Sequence, residues 1–535
     1  MSTDTLQLGP EPNVELRRDV SIWGSFMWGY ADVGADIYTA LGLVIAAAQG
    51  MASVAFAIAG LVYICIGLAY TELASAYPVA GGGHYYALRG LGDFWGFVAG
   101  VALLLDYTID ISLFSVASAG YFLSFWSKII THAERIKHQI HLTSSVVIYD
   151  WVMVVVSLAL ILFLIWLNIR GMKESSLFNE ILGALDIVTE STLVVCGFVF
   201  AWRPELISSQ FLETWHHFDL HRFAYGTSLG IICFVGLESI SQAAQETRRP
   251  ATIIPRTSIT LIITVFVFAV AFSNLSLGVS PWQNFETHME DPVAYLATLI
   301  PFIGFIAGPF AAFLGMTILA ISANSGIMSA SRLTFSMSQL KLLSPWFDKV
   351  HQRYRTPART IAFFSGLGIL FVAASAFTPQ IIDTLGNMYA FGATLGYIIV
   401  FASLIKLRFV DPYTPRPYHV PINFSWKRPG QVPVQVPILG FLGMVGVSMI
   451  FFFVVYTHAI GRIAGPAWVA LCLLYYVFYR RSLKLPVLGS VKHDWEKEQM
   501  AVLTSAEEYD LLERYKLALL ERDKILKKKV NGTKI

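Results

Sequence analysis

Long apolar stretches, separated by short polar connections, dominate the pattern of this chain. A helix of about twenty apolar residues is long enough to cross a lipid bilayer. Windows of that length predict twelve membrane-spanning helices, at residues 21–47, 52–77, 94–126, 146–169, 177–201, 224–246, 253–279, 303–335, 358–377, 384–405, 434–457 and 463–479. The pattern therefore predicts an all-α integral membrane protein.

Two of these spans are interrupted by acidic residues and glycines. In the first span, Asp32 and Asp36 lie close to Gly34, and Cys233-Phe-Val-Gly-Leu-Glu238 interrupts the sixth. An acid at bilayer depth costs about 2.5–3.5 kcal/mol on insertion scales, so these acids are expected to face the protein interior or a wet cavity. We expect residues 30–36 to form the unwound centre of a broken helix. Two broken helices about 200 residues apart are typical of inverted-repeat transporters, whose substrate site lies between the breaks.

Further acids fall inside the third and fifth spans. Asp106 and Asp110 are four residues apart, as are Asp186 and Glu190, so each pair shares one helical face. Burial and like-charge repulsion favour a protonated member in each pair. The eighth span carries Ile321-Ser-Ala-Asn-Ser-Gly-Ile327, whose small polar residues either offer oxygens to a cation or allow close helix packing.

The distribution of Lys and Arg predicts the orientation of the chain. Of the 535 residues, 55% are hydrophobic and 14% are charged, against roughly 45–50% apolar and 25% charged in a soluble domain. Basic residues gather in connections on one side, and the positive-inside rule then places both termini in the cytoplasm of a plasma-membrane protein. Residues 1–20 are predicted to be a cytoplasmic N-terminal segment and residues 481–535 a charged, helical cytoplasmic tail. The basic connection Lys128–His141 is an exception on the outer side.

Several short motifs resemble the amino acid–polyamine–organocation (APC) superfamily over roughly residues 20–480. They are Gly34-Ala-Asp-Ile-Tyr38, Tyr77-Pro-Val-Ala-Gly-Gly-Gly-His-Tyr-Tyr86, Phe234-Val-Gly-Leu-Glu-Ser-Ile240, Glu246-Thr-Arg-Arg-Pro250 and Ser331-Arg-Leu-Thr-Phe-Ser-Met337. The resemblance implies a LeuT-like fold of two inverted five-helix repeats, at about 21–201 and 224–406, with two more helices at 434–479. It also implies a transporter domain over 21–480 with substrate held between spans one, three, six, eight and ten.

The chain departs from this superfamily at two places. Relatives that carry cationic amino acids have a lysine seven residues after an Asn in span five, where this chain has Asp186 after Asn179. The first break has Asp36 in place of a glycine, and Asp32 precedes it. This feature resembles instead the KUP-like potassium-uptake branch, whose potassium site uses acids and a tyrosine near the places of Asp32, Tyr38, Asp106 and Glu238.

The expected function is a secondary active transporter that moves a neutral or cationic amino acid or amine by alternating access, and a potassium–proton symporter is the alternative. In an amino acid or amine permease, the main chain at Val33–Asp36 would bind a carboxylate and the carbonyls at Phe234–Gly236 an ammonium, with Phe234 lying over the ligand. In a potassium–proton symporter, the acids and Tyr38 would bind the cation directly. The candidate substrate-binding residues are Asp32, Val33, Gly34, Ala35, Asp36, Tyr38, Asp106, Asp110, Phe234, Val235, Gly236, Glu238 and Asn324. Asp36 has a second interpretation as the N-cap of the following half-helix.

The expected coupling ion is a proton, and sodium is the alternative. Asp186, Glu190 and Asp106 are the candidate proton carriers, while Ser322 and Ser325 could supply oxygens to sodium. No nucleophile–base pair, metal-ligand cluster or nucleotide loop appears in the sequence, since Gly81-Gly-Gly83 lacks the lysine of a phosphate loop. The sequence therefore predicts a transporter and not an enzyme, with no metal, cofactor or nucleic-acid partner beyond the small-molecule cargo, the coupling ion and the bilayer.

Overall fold

A computed structural model describes residues 21–79, 81–129, 146–170, 173–245, 247–351, 353–354, 356–375, 381–426, 434–458 and 461–532. The N-terminal segment 1–20, nearly all of the connection Lys128–His141, and Glu246 lie outside these residues.

The first half of the chain is helical throughout. Its helices are α1 (Ile22–Val33), α2 (Ile37–Ala48), α3 (Ala52–Ala76), α4 (Gly83–Leu91), α5 (Asp93–Ile129), α6 (Val146–Arg170), α7 (Lys173–Phe200) and α8 (Pro204–His216). Short 3₁₀ segments, Gly34–Asp36 and Gln49–Met51, join α1 to α2 and α2 to α3.

The second half continues in the same way. Its helices are α9 (Leu220–Gly230), α10 (Glu238–Gln242), α11 (Pro250–Val279), α12 (Trp282–Glu286), α13 (Pro292–Thr298), α14 (Gly304–Gln339), α15 (Ala358–Ser375), α16 (Ile381–Val410), α17 (Ile438–Thr457), α18 (Gly461–Ser482), α19 (Trp495–Ser505) and α20 (Tyr509–Gly532). Two 3₁₀ segments, Ile231–Phe234 and Ala243–Gln245, flank α10. The short strands β1 (Asn423–Trp426) and β2 (Val434–Pro437) pair antiparallel, a small hairpin that the all-α prediction did not include.

Each predicted span coincides with one of these helices or helix pairs. The described part of the chain holds ten helical stretches long and apolar enough to cross a membrane, and the first of them, Ile22–Ala76, contains two predicted spans joined at Gln49–Met51. A shorter apolar helix covers Ala358–Ala374. The all-α membrane architecture is therefore confirmed, while the count of twelve and the inverted repeat stay predictions.

Helix α5 lies at the centre of the molecule, packed along α14 and α16. Its most apolar 18-residue stretch is entirely buried, whereas only 28% of the corresponding stretch of α17 is buried. Helix α17 instead exposes Leu442, Val445 and Phe452, as expected for a surface that faces lipid. The acids of α5 therefore lie inside the protein.

The tail contacts the ends of several long helices. The Gln499 side chain of α19 donates to the Ala76 carbonyl at the end of α3 (3.0 Å) and accepts from Arg89 of α4 (2.7 Å). Arg89 also forms a salt bridge with Asp411 just beyond α16 (2.7 Å), and the Ala251 amide at the start of α11 donates to Glu508 (3.2 Å). The helical character of the tail agrees with the sequence prediction, and its cytoplasmic location stays a prediction.

Candidate functional site

The interruption of the first span is smaller than predicted. Helix α1 continues to Val33, and Gly34–Asp36 forms one 3₁₀ turn in which Gly34 keeps φ −65° and donates its amide to the Tyr30 carbonyl. The prediction that residues 30–36 are unwound is therefore wrong, because a 3₁₀ turn retains backbone hydrogen bonds while tightening the helix. The capping interpretation of Asp36 is also wrong, since its side chain makes no cap hydrogen bond to α2.

The interruption of the sixth span is a true break. After the 3₁₀ segment Ile231–Phe234, Val235 is extended (φ −86°, ψ 151°) and Gly236 has φ +113°, a conformation that favours glycine. A Cβ atom at Gly236 would lie 3.0 Å from Cγ of Asp32 and 3.1 Å from Cγ2 of Val33. The two interruptions therefore meet, as the sequence predicted.

Glu238 begins the second half of the broken helix and is fixed by two donors. The Gly236 amide donates to Oε2 at 3.1 Å, and the Tyr397 hydroxyl of α16 donates to the same oxygen at 2.9 Å. The Oε1 atom is buried and has no hydrogen-bond partner among the described residues. One oxygen is thus held by the protein while the other stays available to a ligand or proton.

Five buried carboxyl groups surround the place where the breaks meet. They belong to Asp32, Asp36, Asp106, Asp110 and Glu238, and none of these residues is more than 4% exposed. Their mutual electrostatic interactions define a single group, which we call the carboxyl cluster. Within the part of the chain that the structure describes, no member forms a salt bridge, and both oxygens of Asp36 and of Asp106 lack hydrogen-bond partners.

An uncompensated cluster of this kind cannot hold five negative charges. Each buried, unpaired carboxylate is strongly unfavourable, so protons or a positively charged ligand must neutralise most of them. Asp106 lies within electrostatic range of Glu238, so a negative charge on one disfavours a negative charge on the other. The cluster is therefore suited to bind a cation and to exchange protons.

Hydroxyl groups of α14 and α10 border the cluster. Ser322 donates to the Asp32 main-chain carbonyl at 3.4 Å, and the side chains of Ser325 and Ser239 lie beside the Asp32 carboxyl group. The hydroxyl groups of Ser239 and Ser325 form no hydrogen bond within the described ranges. Gly326 of α14 allows Asp110 of α5 to approach closely, because a Cβ atom at Gly326 would collide with Oδ2 of Asp110.

Two predicted substrate residues have other contacts in this structure. The Phe234 ring stacks on Tyr63 of α3, with ring centroids 5.0 Å apart, so it faces α3. Asn324 accepts a hydrogen bond from Asn168 of α6 at 2.5 Å, and its amide contacts Met328. Their roles toward a substrate stay predictions.

Asp186 and Glu190 of α7 form a second site with two tyrosines of the first span. The Tyr38 hydroxyl donates to Oδ1 of Asp186 at 2.6 Å, and the Tyr30 hydroxyl donates to Oε2 of Glu190 at 2.5 Å. We call Asp186 and Glu190 the α7 acids. The prediction grouped Tyr38 with the substrate residues, whereas the structure directs its hydroxyl to Asp186.

Four tyrosines around the carboxyl cluster were missed in the sequence. Tyr397 donates to Glu238, Tyr63 and Tyr70 have buried hydroxyls without partners among the described residues, and Tyr389 lies within electrostatic range of Asp36 and Asp110. The only available signal was their polar hydroxyl within an apolar span. That signal is weak in a chain with 23 tyrosines.

The fold and the site together define a multi-pass membrane transporter. Helices of bilayer length surround a buried polar site at a helix break, which is the arrangement of secondary transporters. A family model described as amino acid permease matches residues 21–478. The chain therefore belongs to the amino acid permease family, and the membership of the APC superfamily expected from the motifs is confirmed.

Relatives in this family share about a quarter of their residues with the chain. The branched-chain amino acid permease BcaP of Bacillus subtilis is 26% identical over 415 residues, covering 76% of this chain and 84% of the relative. The methylthioribose transporter of the same organism is 24% identical, covering 85% and 91%. The human cationic amino acid transporter 4 is 26% identical, covering 86% and 73%. The protein is a transporter and not an enzyme.

Proposed function

We propose that the protein is a secondary active transporter that carries an amino acid or amine in cationic form across the plasma membrane by alternating access. The carboxyl cluster supports this proposal most strongly, since its five acids have no fixed cation to neutralise them within the described residues. Several carboxyl groups around one site attract a cation and repel an anionic ligand. The cargo's ammonium or guanidinium would contact Glu238 Oε1 and the unpaired oxygens of Asp36 and Asp106.

The broken helix supplies the remaining contacts of this proposal. Val235 is extended, so its carbonyl group lies outside the helical hydrogen-bond pattern and can face an ammonium group, whereas the Gly236 carbonyl already accepts the Ser239 amide at 2.9 Å. The tightened first span has fewer free amides for a substrate carboxylate, because Gly34 already donates to Tyr30. An amine without a carboxylate would therefore bind at least as well as the matching amino acid.

Uptake by purified protein in proteoliposomes tests the substrate class. We expect accumulation of radiolabelled lysine or agmatine above that of leucine, with little accumulation of rubidium. Protein-free liposomes are the control for leakage. Leucine uptake with no response to competing lysine or agmatine would contradict a cationic cargo. The chain's relatives named above do not favour a potassium–proton symporter, but rubidium uptake without amino acid uptake would establish that alternative.

We further propose that a proton drives this transport and that Asp186 carries it. Asp186 and Glu190 lie side by side, fully buried, where only phenol hydroxyls donate to them among the described residues. Two adjacent buried acids favour a shared proton over two charges. Sodium is the alternative ion, and Ser322 and Ser325 would then contribute oxygens near the Asp32 carbonyl.

Uptake measured against pH and against sodium decides between these ions. Proton coupling predicts uptake that rises as the external pH falls, independently of sodium, and a flat pH response in Asp186→Asn. Asn keeps the shape of the side chain but cannot release a proton. Strict dependence on sodium, or an unchanged pH response in the variant, would contradict this assignment.

A further inference from the structure

Tyr30 and Tyr38 lie on opposite sides of the 3₁₀ turn Gly34–Asp36, one at the end of α1 and the other at the start of α2. Both are fully buried, and both hydroxyls point to α7. Tyr38 donates to Asp186 at 2.6 Å, while Tyr30 donates to Glu190 at 2.5 Å and lies 3.5 Å from Oδ2 of Asp186. The two acids of α7 are therefore bonded to the first span on both sides of its turn.

The same two tyrosines also contact the turn itself. The Tyr30 ring lies against Gly34, where a Cβ atom would approach the ring to 2.8 Å. The main-chain carbonyl of Tyr38 accepts a hydrogen bond from Tyr121 of α5 at 2.9 Å. Between these anchors lies Asp36, a member of the carboxyl cluster with two unpaired oxygens. A change in the hydrogen bonds of Asp186 and Glu190 can therefore displace Tyr30 and Tyr38, and with them the turn that carries Asp36.

We propose that Tyr30 and Tyr38 are positioning residues that transmit the protonation state of Asp186 and Glu190 to the turn that carries Asp36. The proposal rests on the proton coupling proposed above. Hydrogen bonds from a phenol to an ionised carboxylate are roughly twice as strong as those to a neutral carboxyl group. Protonation of the α7 acids thus loosens both bonds, and the turn gains freedom to open toward a helical break like that of the sixth span.

Other groups facing the α7 acids do not provide the same route. Tyr121 of α5 lies within electrostatic range of Asp186, but its hydroxyl is engaged with the Tyr38 carbonyl and the Val293 amide. Cys233 of the broken sixth span lies within electrostatic range of Glu190 and of Asp36. The hydrogen bonds that reach the α7 acids within the described residues come from Tyr30 and Tyr38, so these are the groups whose bonds respond directly to the proton.

The test uses Tyr38→Phe and Tyr30→Phe in the full-length protein, with uptake into proteoliposomes measured from about pH 5 to about pH 8.5. Loss of the hydroxyl removes a donor that favours the ionised acid, so the midpoint of the pH profile is expected to move upward by roughly half a unit or more. The KM for the cargo at the wild-type optimum is expected to rise about threefold or more, because Asp36 is less firmly placed. Tyr295→Phe is the control, since its hydroxyl pairs with Ser280 (3.2 Å) and not with an acid of the carboxyl cluster or of α7.

Comparison with Asp186→Asn separates this proposal from the coupling on which it rests. If Tyr38→Phe and Tyr30→Phe leave the pH profile and KM unchanged while Asp186→Asn flattens the profile, the positioning role is wrong and proton coupling stands. If Asp186→Asn leaves the profile unchanged, the proposed coupling is wrong. Transmission through the phenols also predicts that Tyr38→Phe adds no further change in the Asp186→Asn background. An additive effect there would contradict it. If one variant fails to fold, the other gives the same readouts.

Discussion

Asp106 lies in the middle of the central helix α5, where it has no helix end to cap and neither carboxyl oxygen has a partner among the described residues. A buried acid in this condition is unfavourable for stability, so we attribute it to function. Because its neighbours include Asp110 and Glu238, its charge depends on theirs. Asp106 is therefore the residue whose neutralisation should affect transport most and folding least.

We expect Asp106→Asn to leave the amount of folded protein and its Tm nearly unchanged, while uptake falls by roughly tenfold or more, since the amide cannot ionise. The measurement is initial uptake at saturating cargo, beside a thermal melt. Ser115→Ala is the matched control on the same helix, because its hydroxyl is also buried and unpartnered within the described ranges. Wild-type uptake by Asp106→Asn would remove Asp106 from the site.

Gly236 is the residue at which the two helix interruptions approach each other. With φ +113° and Asp32 Cγ only 3.0 Å from the position that a methyl group would take, Gly236→Ala strains the backbone and displaces the Asp32 carboxyl group. We expect the variant to reach the membrane but to bind its cargo with roughly tenfold lower affinity. Gly366→Ala is the control, since a Cβ there meets nothing within 4 Å. Equal affinities for these two variants would contradict this account of the break.

At the scale of elements, the ends of the long helices are joined by buried ion pairs. Glu72 of α3 accepts two hydrogen bonds from Arg408 of α16, at 2.6 Å and 2.5 Å, and a third from the Val420 amide at 2.7 Å. Both side chains are at most 3% exposed. This bidentate pair fixes α3 to α16 and, through them, the position of Tyr397 beside Glu238.

Arg408→Ala removes the bidentate partner of the buried Glu72 carboxylate but leaves Arg416 at 3.4 Å, so we expect a loss of roughly 1.5–3 kcal/mol and a clear fall in Tm. Arg222→Ala is the control, because its pairing with Asp219 is 3.9 Å long and both side chains are more than half exposed. No measurable change is expected there. Thermal melts in detergent compare the two, and a similar small effect for both would show that the buried pair does not hold the helices together.

The sequence predicted helix breaks and site residues more accurately where an acid or a glycine lies within an apolar span than where a tyrosine does. The break at Gly236 was found because glycine, an acid and polar neighbours coincide in one span. The first interruption was overestimated, since Gly34 and two acids also fit a 3₁₀ turn that keeps its hydrogen bonds. The acids of the cluster could be identified because each is costly in a membrane, whereas Tyr63, Tyr70 and Tyr389 could not, because tertiary packing decides which tyrosines face a site.

At the scale of the whole molecule, the tail connects helix ends that are far apart in the sequence. Gln499 bridges Arg89 and the Ala76 carbonyl, and Glu508 accepts from the Ala251 amide. Arg89 also lies over the rings of Tyr77 and Trp495, at 4.5 Å and 5.5 Å from their centroids. These contacts attach the tail to the transmembrane helices and help to stabilise the arrangement of their ends.

A chain that ends at residue 492 is therefore expected to melt several degrees lower than the full chain, because it loses these contacts. Gln499→Ala should reproduce part of the decrease, since it removes the bridge between Arg89 and Ala76. Lys516→Ala, at an exposed position of α20, serves as the control. An unchanged melting temperature for the shortened chain would contradict a stabilising role for the tail.

Binding of cargo to the carboxyl cluster is tested most directly by ligand-induced stabilisation of the purified protein. A ligand that binds only the folded state raises Tm according to its concentration and affinity. We predict that lysine or agmatine raises the Tm of the wild type more than leucine or rubidium chloride does, and that Asp106→Asn abolishes the increase while Ser115→Ala retains it. An equal increase with leucine and lysine, or an increase that persists in Asp106→Asn, would contradict a cationic cargo held by the cluster.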